Sequence, residues 1–120
     1  MKLNIINIKK DTRVEFHSNE LLFLARSGQP NRGSLYVKFE SLGESFDTID
    51  FKRYITSLRS EIFYAEDIAY EIYTKIEKSI NAKNLGVVVD LSARGGLQQR
   101  LSFGYEFEVT QKSNIFQVSQ

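Results

Sequence analysis

Residues 51–80 read FKRYITSLRSEIFYAEDIAYEIYTKIEKSI, and their apolar side chains recur every three or four positions. This spacing gives each half of the stretch one apolar stripe, which is the pattern of an amphipathic helix. The two stripes contain Phe51, Tyr54, Ile55, Leu58 and Ile62, then Ala65, Ile68, Ala69, Ile72, Ile76 and Ile80. The stretch therefore predicts two helices in the middle of the chain, the first capped by Asp47 or Thr48.

Alternating apolar and polar side chains lie on both sides of the helical stretch, as they do in half-buried strands. The longest alternation runs over 101–109, a shorter one runs over 35–39, and 85–91 is rich in valine. We expect 85–91 and 101–109 to pair through the Arg94-Gly95-Gly96 turn. These patterns predict one strand before the helices and two strands after them.

The remaining segments complete a single domain of residues 1–120. Residues 14–16 and 21–24 predict an irregular first strand, Met1–Lys10 predicts an extra edge strand, and 111–120 forms a polar tail. The order ββααββ predicts an α+β fold, a four-stranded antiparallel sheet with both helices on one face. The face of the sheet opposite the helices also has to be covered. Sheets from several subunits that close into a barrel would cover it and remove the sheet edges.

The composition excludes several classes of function. Lys and Arg number 16 against 15 Asp and Glu, which argues against binding duplex nucleic acid through bulk charge. The chain has no cysteine and one histidine, His17, so we expect no disulfide, no metal site and no cysteine nucleophile. We expect no membrane association, because no apolar run approaches about 20 residues. The N-terminus lacks the features of a signal peptide, so we expect a cytoplasmic protein.

Two places have the residue types of a binding site. Glu66 lies at the predicted start of the second helix, where a carboxylate can accept the ring N–H and the amino group of a guanine-type edge. The alternative is an ordinary acidic residue that complements the helix dipole. Arg94-Gly95-Gly96 can bind an anion, or it can be only a tight turn that requires positive φ.

Several blocks together resemble the 7-cyano-7-deazaguanine reductases, the nitrile reductases of queuosine biosynthesis, which belong to the tunnelling-fold superfamily. Gly28-Gln29-Pro30-Asn31 is similar to the G-Q-P-D block of that family, and 47–54 is similar to its cofactor motif E-S-K-S-L-K-x-Y. Ser57-Leu58-Arg59 followed by Glu66 is similar to the segment with its base-binding glutamate. Ala93-Arg94-Gly95-Gly96 is similar to its P-R-G-G turn.

This resemblance implies a tunnelling fold that assembles into a ring, either a pentamer or two stacked pentamers. It implies a guanine-like ligand bound by Glu66, Ser57, Arg59 and Gln29. It also implies NADPH as cofactor, bound by Lys52, Tyr54, Arg94 and Gly95.

The departures from the family concern the residues that carry its chemistry. The nucleophilic cysteine, whose thiolate adds to the nitrile, is Leu24 here, and the acid after Gln-Pro is Asn31. The histidine before the glutamate is Ala65, and the first lysine of the cofactor motif is Ile49. A leucine cannot form the covalent intermediate, and an asparagine cannot transfer a proton near neutral pH. We therefore expect no nitrile reductase activity.

Three functions remain open. The first is a divergent homologue of the reductases that still binds a guanine-like, deazaguanine or pterin ring. The second is a tunnelling-fold enzyme with a different chemistry on a purine or pterin, like a cyclohydrolase or a reductase. The third is a structural oligomer with a vestigial pocket.

Overall fold

The computed structural model describes residues 2–109, which form six β-strands and two α-helices. The strands are β1 (Ile5–Asn7), β2 (Arg13–Leu24), β3 (Pro30–Ser41), β4 (Glu44–Phe46), β5 (Ala82–Leu91) and β6 (Arg100–Gly104). The helices are α1 (Thr48–Ser57) and α2 (Ala65–Ser79), and a 3₁₀ turn over Leu58–Ser60 follows α1. The predicted polar tail, 111–120, lies outside the described residues.

Four antiparallel strands form the main sheet in the order β2-β3-β5-β6, and both helices pack on it. The alternation in β3 decides which face they cover, because Leu35, Val37 and Phe39 are each buried while Tyr36 and Lys38 are only half-buried. The core lies between that face and the helix stripes, as predicted, and Ile68, Ile72 and Ile76 are fully buried in it. The α+β class is confirmed, whereas the barrel between subunits stays a prediction.

The first strand of the main sheet is irregular, as the sequence predicted. The register between β2 and β3 shifts between Ser18 and Leu21, which marks a β-bulge. Phe16 packs against the core before the bulge, and Leu21 and Phe23 are buried after it. The bulge therefore keeps apolar side chains on the core face along the whole length of β2.

The first helix is shorter than the apolar stripe predicted. Asp47 is its cap, since the Asp47 carboxylate accepts from the backbone N–H of Ile49 at 2.7 Å. Including Ile62 in the helix was wrong: this side chain is 58% exposed, and its backbone forms a parallel bridge with Leu24. After the 3₁₀ turn the chain becomes extended at Glu61 and lies beside the end of β2.

The last strand is also shorter than predicted. It ends at Gly104, which adopts φ +91°, and the Tyr105 N–H then donates to the Leu85 carbonyl at 2.7 Å. A Cβ at Gly104 would lie 2.4 Å from that carbonyl, so a side chain does not fit there. The prediction of a strand through Val109 was wrong, because the alternation of side chains does not reveal a change of backbone direction at one glycine.

The N-terminal strand belongs to a second, small sheet. Strand β1 lies within Met1–Lys10, where the sequence predicts an extra strand, and it pairs antiparallel with β4 rather than with the main sheet. Strand β4 brings Phe46, which is fully buried, to 4.9 Å from the ring of Phe16. This small sheet covers one end of the core. Within residues 2–109 no helix is both long and apolar enough to cross a membrane.

Candidate functional site

Leu24, at the position that the resemblance gives to the nucleophilic cysteine, lies next to the segment that leads into α2. The Leu24 N–H donates to the Glu61 carbonyl at 2.9 Å, and the Phe63 N–H donates to the Leu24 carbonyl at 2.9 Å. Ala65 and Glu66 follow as the first two residues of α2. These two backbone hydrogen bonds bring positions predicted to share a site to the same end of the sheet.

The Arg94 guanidinium holds the turn between β2 and β3. Its Nη1 donates to the Pro30 carbonyl at 3.0 Å and to Asn31 Oδ1 at 2.9 Å, and its Nη2 donates to Gln29 Oε1. Strand pairing places Pro30 opposite Leu24. The two blocks of the resemblance therefore meet, and Arg94 uses three of its five N–H donors within the chain. Gly95 adopts φ +59° in the predicted tight turn beside it.

Glu66 projects from the first turn of α2 and is exposed. Its Oε2 accepts a hydrogen bond from Gln99 Nε2 at 3.1 Å. Within residues 2–109, no hydrogen bond to Glu66 Oε1 is present. Gln99 itself is positioned by a backbone bond from the Leu91 N–H to its carbonyl at 2.9 Å. Glu66 thus has one oxygen with no partner among the described residues, and Oε2, oriented by Gln99, can still accept a second hydrogen bond.

A tyrosine and an arginine that the sequence did not single out lie at the start of α2. Arg26 Nη1 donates to the Tyr64 hydroxyl at 2.9 Å, and the guanidinium carbon lies 5.0 Å from the centre of the Tyr64 ring. Tyr64 is the residue before α2 and is 54% exposed. Neither this pair nor Gln99 has a signal in the sequence, because the pairing depends on the bridge between β2 and Ile62.

The two other residues predicted to bind the ring lie elsewhere. The Ser57 hydroxyl donates to the Tyr54 carbonyl at 2.6 Å, so it closes the last turn of α1. Arg59 lines a groove of about 510 Å³ at the bulge of β2, together with Glu20 and Arg32. No described contact joins either residue to Glu66, and their role in ring binding stays a prediction.

The residues predicted to bind the cofactor are also dispersed. Lys52 is exposed and lines a groove of about 440 Å³ beside the middle of β2. Tyr54 is 5% exposed, and its hydroxyl has no hydrogen-bond partner among the described residues. Burial, and then the nearby Glu71 carboxylate, raise the pKa of Tyr54 well above that of a free tyrosine. Tyr54 is therefore a core residue of the chain, and cofactor binding by these residues stays a prediction.

Metal binding has no visible centre in this part of the chain. No group of three or more His, Cys, Asp or Glu side chains that could hold an ion lies within residues 2–109. The start of α2 instead offers the exposed Glu66 carboxylate and the exposed Tyr64 ring. This arrangement suits hydrogen bonding to a small polar ring.

Comparison with known proteins gives one consistent result. No family model matches the chain. It is 24% identical over 99 residues to an NADPH-dependent 7-cyano-7-deazaguanine reductase of Thermomicrobium roseum, covering 82% of this chain and 77% of the relative. It is 31% identical over 91 residues to the reductase of the same name from Rickettsia canadensis, covering 73% of this chain but 33% of the relative. It is 31% identical over 72 residues to the reductase of the same name from Sulfurimonas denitrificans, covering 60% of this chain and 58% of the relative.

Proposed function

Because the chain is a distant homologue of the NADPH-dependent 7-cyano-7-deazaguanine reductases, we propose that it binds a guanine-like, deazaguanine or pterin ring and does not reduce a nitrile. The observation that carries the proposal is a contrast between two positions. Glu66 keeps an open carboxylate, whereas Leu24 takes the place that the resemblance gives to the nucleophilic cysteine.

Ring binding is supported by the geometry of Glu66. A guanine-type edge presents a ring N–H beside an exocyclic amino group, and a carboxylate can accept from both. The amide of Gln99 holds Oε2 at 3.1 Å and so limits the rotation of the carboxylate. A side chain that is already ordered in the free protein loses less conformational entropy when a ligand binds, and this favours affinity.

Loss of nitrile reduction is supported by the residues around Leu24. The chain has no cysteine at any position, so no thiolate is available to add to a nitrile. Asn31 accepts a hydrogen bond from Arg94 at 2.9 Å and carries no acidic proton. Ala65 places a methyl group where the resemblance places a histidine. The nucleophile and both proton-transfer groups are thus replaced together.

A ring of subunits is the second part of the proposal. The main sheet has two edge strands, β2 and β6, and within the described chain the outer edge of β2 is hydrogen-bonded to the segment 61–63 at Leu24. Pairing of β6 with β2 of the next subunit would close a barrel and satisfy both edges. We expect a pentamer or two stacked pentamers. A mass of 13.9 kDa, that of one chain, in dilute solution would exclude the ring.

A thermal-shift series with guanine, 7-deazaguanines, pterins and adenine tests ring binding, with adenine as the control that lacks the guanine-type edge. We expect guanine-type ligands to raise the melting temperature and adenine to leave it unchanged. NADPH oxidation with 7-cyano-7-deazaguanine then tests the loss of activity. Turnover near 1 per second, which is typical of enzymes, would overturn that part. Chromatography of each ligand after incubation would reveal a different chemistry on the ring.

A further inference from the structure

The groove at the bulge of β2 is formed by four separate parts of the chain. Its volume is about 510 Å³. The bulge in β2, the start of β3, the 3₁₀ turn and the end of β5 with its following loop contribute to it. Its polar lining includes Glu20, Arg32, Ser34, Arg59, Asp90 and Ser92.

The charge of this groove is positive once its internal contacts are counted. Asp90 is held by Arg100 Nη2 at 2.8 Å and by Gln98 Nε2 at 2.9 Å, so its charge is compensated. Within residues 2–109, neither Arg32 nor Arg59 lies within 4.0 Å of a carboxylate oxygen. Glu20 is the one other acid among the lining residues. Two guanidinium groups therefore face a groove in which one acid remains uncompensated.

Both arginines extend from backbone that is fixed. The Arg32 carbonyl accepts from the Ser92 N–H at 2.8 Å, and at the next residue β3 and β5 lie so close that a Cβ on Gly33 would be 2.3 Å from the Asp90 carbonyl. Arg59 follows Leu58, which is 3% exposed and anchors the 3₁₀ turn in the core. The hydroxyl groups of Ser34 and Ser92 add two neutral donors to the groove.

We propose that this groove binds the phosphate groups of a small anionic ligand, with Arg32 and Arg59 as the charged groups that contact it. A guanidinium presents paired N–H donors that match phosphate oxygens, so two of them can hold a diphosphate. Glu66 is not among the residues that line the groove. The proposal therefore does not depend on ring binding at Glu66.

Calorimetry with inorganic pyrophosphate at low ionic strength tests the site. We expect saturable binding to the wild-type chain, a loss of about tenfold in affinity for Arg32→Gln and for Arg59→Gln, and about a hundredfold loss for the double variant. Arg53→Gln removes an exposed arginine of α1 outside the groove and should leave affinity unchanged. Glu20→Gln should raise affinity, because it removes the acid that remains uncompensated.

Two further ligands distinguish the source of the phosphates. GDP represents a nucleotide and NADPH a dinucleotide. The affinity of each should fall in both arginine variants if the groove binds its phosphates. Glu66→Ala should not change pyrophosphate binding, which separates failure here from failure of the ring site. The proposal is overturned if the wild-type chain shows no saturable pyrophosphate binding up to about 10 mM, or if the double variant binds as tightly. Melting curves of all variants verify that they are folded.

Discussion

The turn at Gln29–Asn31 and the start of α2 lie at the same end of the sheet, but they differ in how far their polar groups are hydrogen-bonded within the chain. At the turn, the guanidinium of Arg94 donates to three acceptors of the chain itself. At the start of α2, Glu66 receives one hydrogen bond and is exposed. Polar groups that are satisfied within the chain stabilise the fold, whereas an open carboxylate remains available to a ligand. This difference is the ground on which we propose a structural role for the turn and ligand binding for Glu66.

The largest expected effect is on ligand affinity at Glu66. Glu66→Ala removes the acceptor of two charge-assisted hydrogen bonds and should weaken a guanine-type ligand by about 2–4 kcal/mol, roughly 30- to 1000-fold. Glu66→Gln should also weaken it, since the amide turns a donor toward the donors of the ligand. Calorimetry with the best ligand of the thermal-shift series measures both.

The matched control for Glu66 is Asp67, the next acidic residue in the first turn of α2. Asp67→Ala changes the helix-end charge equally and should leave affinity unchanged. Neither variant should lose more than about 1 kcal/mol of stability, because an exposed acid near a helix start contributes about that much or less. Unchanged affinity in Glu66→Ala would exclude this residue from the site and favour a structural oligomer.

The second effect is on stability at the turn. Arg94→Ala removes three hydrogen bonds from exposed or half-buried acceptors and should lower the free energy of unfolding by about 1–2 kcal/mol. Arg94→Lys should restore less than half of the loss, because one ammonium group cannot reproduce the planar set of donors. Arg53→Ala, at an exposed position on α1, should stay within about 0.5 kcal/mol of wild type. Urea unfolding measures all three, and an unaltered midpoint for Arg94→Ala would contradict a structural role.

Much of the fold is visible in the sequence because it depends on local periodicity. The stripes at Ile68, Ile72 and Ile76 and the alternation at Leu35, Val37 and Phe39 define the two layers of the core. The end of the last strand at Gly104 was not predicted, because one backbone angle leaves the side-chain pattern unchanged. The separate β1–β4 sheet has strands of three residues each, which are too short for a pattern.

The candidate site could be predicted only in part. The resemblance assigned Gln29 to the ring ligand and Arg94 to the cofactor, and the structure joins these two side chains by a hydrogen bond. It did not indicate that Gln99 orients Glu66, because a hydrogen bond between residues 33 positions apart has no period in the sequence. Tyr54 belongs both to the cofactor motif of the resemblance and to the apolar stripe, and its burial reflects the stripe.

The third effect concerns Tyr54, whose hydroxyl is buried but has no hydrogen-bond partner among the described residues. Burial raises the pKa of Tyr54, so the phenol stays protonated in the folded chain while the unfolded chain titrates near pH 10. The stability that this group contributes is therefore fully present below pH 10 and is lost above it, by about 1.4 kcal/mol per pH unit.

Tyr54→Phe should remove this alkaline loss and should leave stability at pH 7 equal or slightly higher, because no hydrogen bond to a described residue is lost. Urea midpoints at pH 7 and pH 11 measure the change. Tyr70→Phe replaces an exposed tyrosine of α2. This variant should lose as much stability between pH 7 and pH 11 as wild type does. An equal alkaline loss in Tyr54→Phe and wild type would contradict the burial of the phenol.

The smallest expected effect is at Leu24, which lies between the two regions. Leu24→Cys supplies a thiol where the resemblance places the nucleophile, yet Asn31 and Ala65 still lack the proton-transfer groups. We expect this variant to fold, to react with a thiol reagent and to show no NADPH oxidation with 7-cyano-7-deazaguanine. Leu22→Cys, on the same strand and also half-buried, is the control for thiol accessibility. Nitrile-dependent oxidation in Leu24→Cys but not in Leu22→Cys would show that the thiol alone was missing from the site.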